Sequence, residues 1–136
     1  HHLQPNASVV VWPYTGIDDD PFVMRERLLL LDGARSNATK IGTSLDRGWL
    51  AYAREGLVFV KRATHKPGGR YLDLGASGQC YSNPEFLELE TLGERVVLGP
   101  SETVSHIETW ELHRVDVDLP PQQIPEVLDL DGGSAP

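Results

Sequence analysis

The stretch Phe86–Leu112, FLELETLGERVVLGPSETVSHIETWEL, decides how this chain is read. Leu87, Leu89, Val96, Val97, Ile107 and Trp110 sit in short runs broken by Gly93-Glu94 and by Gly99-Pro100-Ser101-Glu102. Short β-favouring runs between turn residues predict strands, here Phe86–Leu92, Arg95–Leu98 and Thr103–Leu112. Side chains alternate along a strand, so Phe86, Glu88, Glu90 and Leu92 are expected on one face and Leu87, Leu89 and Thr91 on the other. Glu88 and Glu90 would then lie about 6.5–7 Å apart. Either they belong to a face open to water, or they are the floor of a site. Two carboxylates held that close in a cleft raise each other's proton affinity, which suits acid–base chemistry.

Working outward, the same grammar recurs. Ser8–Trp12 is β-branched and aromatic and stops at Pro13. Met24–Leu31 fits a short helix or a buried strand, and the strand is favoured because Asp32-Gly33 ends it in turn chemistry; Ile17–Pro21 reads as a loop. Trp49–Ala53 and Leu57–Lys61 flank Arg54-Glu55-Gly56, the composition of a hairpin whose glycine takes a positive φ. Gln79–Ser82 is a further short strand. Many short strands with no amphipathic helix predict an all-β fold, an antiparallel sandwich or barrel. A sandwich domain is expected over residues 1–115. Residues 116–136 carry five acidic residues, four prolines and no Lys or Arg, and are expected to form an extended acidic arm. Its Ile124, Val127, Leu128 and Leu130 would dock on a neighbouring copy.

Composition narrows the function. The 136 residues carry a formal charge of −8, the opposite of the clustered Lys and Arg that a nucleic-acid phosphate backbone demands. No apolar run reaches membrane-spanning length. The single Cys80 excludes an internal disulfide, and no secretory leader pattern opens the chain, so a cytoplasmic location is expected. His65, His106 and His113 lack the tight spacing of a closed metal site, and neither a metal nor another cofactor is expected. Gly75-Ala76-Ser77-Gly78 could hold an anion on its backbone but lacks the strand–loop–helix setting of a phosphate loop. Asn6-Ala7-Ser8 and Asn37-Ala38-Thr39 fit the glycosylation pattern only formally. In Thr103–Leu112, alternation puts Val104, His106, Glu108, Trp110 and Leu112 on one face, where an indole could stack on a sugar ring beside hydrogen-bonding neighbours. The plainer reading of that face is a half-buried tryptophan at a polar rim.

The quoted stretch also resembles a known family. Phe86–Gly93, Val97–Thr103 and Thr109–Leu112 are similar to the closing strands of the galactose mutarotase-like (aldose 1-epimerase-like) superfamily. Trp12–Thr15, Lys40–Gly42 and Phe59–Arg62 fit the same pattern, so the resemblance spans roughly Val9 to Leu112. It implies an antiparallel β-sandwich with a sugar-sized groove. It also implies a general base in an L-E-T context, which is Glu90 within Leu89-Glu90-Thr91. Family enzymes take their general acid from a histidine in an earlier half of the domain, and His106 is the candidate here. Glu88, Trp49, Tyr81, Trp110 and Lys61 would contact the sugar. The chain has Gly99-Pro100-Ser101-Glu102 where the family prefers a P-G-E turn. A half-length sandwich completed by homo-oligomerisation is the resulting expectation, with a small-molecule carbohydrate as partner and isomerase chemistry undecided. The competing expectation is a non-catalytic oligomeric β-protein whose sheet face serves assembly or a small ligand. A metal-binding barrel of cupin type would need a histidine cluster.

Overall fold

A computed structural model describes residues 8–16, 22–25, 28–33 and 37–132. Among these residues the chain is all-β: nine strands in antiparallel sheets and one short helix. The strands are β1 (Val9–Val11), β2 (Phe22–Arg25), β3 (Leu28–Leu31), β4 (Thr39–Thr43), β5 (Trp49–Arg54), β6 (Leu57–Ala63), β7 (Gly78–Ser82), β8 (Leu87–Thr91) and β9 (Glu108–Arg114). The helix α1 is Ile124–Val127. A first sheet has the order β1-β4-β7-β8, a second the order β5-β6-β9, and β2 and β3 pair as a hairpin.

The hairpin β5–β6 forms where the sequence places it, but its turn has two residues in place of the expected Arg54-Glu55-Gly56. Arg54 pairs with Leu57, leaving Glu55 and Gly56 as a two-residue turn with φ of 51° and 75°. Positive φ at both positions matches the twist of the flanking strands, and glycine takes it without steric cost. Gly56 also lies under the Val115 carbonyl, 3.1 Å from where a Cβ would sit.

Several expectations change. Met24–Leu31 is not one strand: Phe22–Arg25 and Leu28–Leu31 pair with each other, Phe22 opposite Leu31 and Arg25 opposite Leu28. Arg95–Leu98 forms no strand. Arg95 N–H donates to the Arg70 carbonyl at 2.7 Å, but no ladder follows, and Val97 stands exposed. The valines favour a strand, yet among the described residues they join no sheet. Thr103–Leu112 is strand only from Glu108, and it continues to Arg114. Thr39–Thr43, which carries Gly42 and Lys40, is an interior strand that the apolar pattern hides. Gly42 is required there, because a Cβ would come within 2.7 Å of the Ala76 Cβ.

The C-terminal segment corrects the picture of an extended arm. Ile124 and Leu130 are buried against Val58 and Val60 of the same chain, with Trp49, Ala51, Val115, Leu119 and Leu128 packed around them. Arg62 donates to the Leu130 carbonyl at 3.1 Å, and Trp49 Nε1 donates to Asp131 at 3.1 Å. Of the apolar residues that suggested a clasp on a second copy, Ile124, Leu128 and Leu130 pack on one face of β5–β6 within the chain, while Val127 stands exposed. That leaves the opposite face of the second sheet, bearing Tyr52, Phe59, Lys61 and Trp110, free to line a cleft. The glycine-rich stretch is likewise used internally. Ser77 Oγ accepts from Leu45 N–H at 2.9 Å and bonds His65 Nδ1 at 2.9 Å, while His65 Nε2 lies 3.2 Å from Asp46. This Ser–His–Asp string is a brace between loops, because Ser77 is shut off from solvent and no substrate could reach its hydroxyl.

Candidate functional site

A cleft of about 540 Å³ opens where the two sheets meet. One wall is the second sheet, through Tyr52, Arg54, Phe59, Lys61 and Trp110. The other is Leu87 and Leu89 of β8 with Asn83–Phe86 before them. Alternation and register build the first wall: Tyr52 pairs with Phe59, and Lys61 with Trp110, so all four side chains leave the same face. The opposite face of these strands carries Val58, Val60 and Arg62, which hold the C-terminal segment.

Trp110 is 66% exposed, yet it is fixed from three sides. Its Nε1 donates to Glu108 Oε2 at 3.0 Å. The Phe59 ring meets it edge-on, with centroids 5.7 Å apart and planes at 80°. Lys61 Nζ lies 5.4 Å from the ring centroid, a cation–π distance. Lys61 in turn donates to the Leu89 carbonyl at 2.7 Å and approaches Glu108 Oε1 at 3.3 Å, which ties the two walls together. Thr91 Oγ1 donates to Glu108 and meets His106 Nε2 at 2.7 Å. Burial alone would raise the Glu108 carboxyl. Hydrogen bonds from Thr91 and Trp110 and the Lys61 charge outweigh it and hold the group below the usual carboxylate range.

The expected site residues fall into four places. Glu88 and Glu90 do share a face of β8, and Tyr81 joins them as the cross-strand partner of Glu88. Glu90 is held by Lys40, whose Nζ donates to both carboxylate oxygens at 2.8 and 3.0 Å. Lys61 and Trp110 line the cleft, on the other side of the first sheet from Glu90. His106 bonds Thr91, whose side chain leaves β8 opposite to Glu90, so Glu90 and His106 share no direct contact. The structure does gather His106, Glu108 and Trp110, the trio expected on one face, with Thr91 as the link. Trp49 belongs to the packing under the C-terminal segment.

Phe59, Tyr52, Phe86, Leu87 and Leu89 were not anticipated as lining. The pairing of Tyr52 with Phe59 follows from the two-residue turn that the structure shows, not from the three-residue link Arg54-Glu55-Gly56 expected from the sequence. The meeting of β8 with β6 depends on tertiary packing. Among the described residues, no group of His, Cys, Asp and Glu is arranged to hold a metal ion, and no helix is long and apolar enough to cross a membrane. The chain matches no protein-family model, no curated protein and no solved structure. Fold and site together define an all-β antiparallel protein with an aromatic-walled cleft.

Proposed function

We propose that this chain is a carbohydrate-binding β-protein and that the cleft beside Trp110 is where the sugar lies. The observation that carries the reading is the fixed, two-thirds-exposed indole at the cleft wall. An exposed aromatic plane already locked by Glu108, Phe59 and Lys61 loses little freedom when a pyranose ring stacks on it. Asn83, Glu85 and Arg54 at the same cleft offer donors and acceptors for hydroxyl groups. Such a site binds without needing a catalytic base. Mutarotase-type chemistry through Glu90 is the weaker form of the proposal, since Lys40 occupies both oxygens of that carboxylate.

The test is a titration of the protein's ¹H–¹⁵N spectrum with a panel of neutral mono- and oligosaccharides. Saturable shifts at Phe59, Lys61, Leu89 and Trp110, weakened at least tenfold in Trp110→Ala, are expected. Absence of any saturable shift at tens of millimolar sugar overturns the reading. One observation favours assembly instead: β9 is an edge strand with Trp110 and Leu112 both exposed, and edges invite pairing. A second copy on this edge would give a sedimentation coefficient that falls in Trp110→Glu.

A further inference from the structure

Twice in this fold a lysine sits between a carboxylate and an indole. Lys40 Nζ holds Glu90 and lies 5.0 Å from the Trp12 ring centroid. Lys61 Nζ stands 3.3 Å from Glu108 and 5.4 Å from the Trp110 centroid. A third arrangement of the same kind lies next to the first, without a lysine. Glu88 is exposed on β8, across from Tyr81 on β7. The Tyr14 ring stands 6.3 Å from Tyr81 at 74°, and the Phe86 ring 5.6 Å from Tyr81 at 37°. Tyr14 and Phe86 are each about half exposed. Among the described residues, Glu88 takes no Lys or Arg as ion-pair partner.

We propose that Tyr14, Tyr81, Phe86 and Glu88 form a recognition corner for a quaternary ammonium group. Aromatic faces carry negative potential and attract a cation placed over them, and a neighbouring carboxylate adds to that field. The Tyr14 hydroxyl reports the field. Its proton is held more tightly than usual, first by burial, with Tyr81, Glu90 and Glu88 adding to the effect against Lys40. A primary ammonium keeps three hydrogen-bond donors to satisfy, and the corner offers one carboxylate. Methyl groups on nitrogen remove that demand and present apolar surface to the rings. A metal ion is disfavoured for the complementary reason, since three rings and one carboxylate are too few oxygen ligands. Tyr81 and Glu88 lie on the opposite face of the first sheet from Leu87 and Leu89 of the cleft, and Phe86, just before β8, borders both, so the proposal stands apart from carbohydrate binding at Trp110.

The probe is choline, titrated into the ¹⁵N-labelled protein at low ionic strength. Saturable shifts at Tyr14, Tyr81 and Glu88 are expected, with unchanged resonances at Lys61 and Trp110. Two surface variants, Tyr14→Leu and Glu88→Gln, should each weaken binding roughly fivefold, the weight of one exposed cation–π contact and of one exposed charge interaction respectively. The neutral carbon analogue of choline, 3,3-dimethylbutan-1-ol, should not saturate. Binding of that alcohol as tightly as choline would show a merely apolar patch and overturn the proposal. So would ethanolamine binding as tightly as choline, affinity unchanged in Glu88→Gln, or no saturable shift with choline at tens of millimolar.

Discussion

Replacing Leu130 by alanine asks whether the C-terminal segment is part of the fold. Leu130 is 1% exposed and packs on Val58 and Val60, each 0% exposed. Truncating a leucine in such a setting removes its transfer free energy and leaves a cavity that neighbours fill only in part, a loss of about 3 kcal/mol. The Arg62 hydrogen bond goes to the Leu130 backbone carbonyl and survives the substitution, so the loss reports packing. Against a total stability of about 5–15 kcal/mol, this is a large fraction. The melting temperature should fall by on the order of 10 °C. Urea unfolding followed by tryptophan fluorescence measures it directly, because Trp49 lies in the same cluster. Val127, 57% exposed one turn earlier, is the internal control, and Val127→Ala should cost less than about 0.5 kcal/mol. A Leu130→Ala protein as stable as the control would refute the view that residues 116–132 complete the second sheet's core.

Other outcomes follow from the charged and polar groups. Glu90→Gln should leave the fold intact and lower stability by about 1 kcal/mol, since it weakens a half-screened pair with Lys40; cleft titrations should be unaffected by it. Glu111 accepts from His113 and from Arg62, and these two partners hold its carboxyl below the usual range. A folded pKa lower than the unfolded one contributes stability above the unfolded value of about 4.3, and that contribution is lost as pH falls through the folded value. Urea midpoints compared at neutral pH and below pH 4 should therefore converge between wild type and Glu111→Gln in acid. Cys80 lies between Ile41 and Leu89 in the first sheet, and burial, with Glu90 adding, pushes its thiol up to about 11. Its reaction with a disulfide reagent at pH 8 should be slow in the native protein and fast in denaturant.

What the sequence determined by itself was local. Arg54-Glu55-Gly56 between two alternating runs marks the β5–β6 hairpin, while the pairing of Arg54 with Leu57, and so of Tyr52 with Phe59, came from the structure. Leu87-Glu88-Leu89-Glu90 sets which faces of β8 the carboxylates and leucines take, because a pleated strand has a period of two. Glu108, Trp110 and Leu112 share a face for the same reason. The all-β class came from the recurrence of such runs. Val96-Val97 carries an equally strong strand pattern and forms none, because propensity cannot supply a partner edge. Thr39–Thr43 carries a weak pattern and forms an interior strand, because β1 and β7 flank it and Gly42 admits Ala76. The ion pairs were equally hidden. Glu90 meets Lys40 across 50 residues, and Lys61 meets the Leu89 carbonyl across 28, so no local rule connects them. The acidic segment after Val115 reads as an extended arm, since charges and prolines dominate its composition. Its Ile124, Leu128 and Leu130 nevertheless pack with Val58 and Val60 of the sheet face. Burial against a surface built from residues about 70 positions away is a property of the packed chain, and only the tertiary structure could decide it.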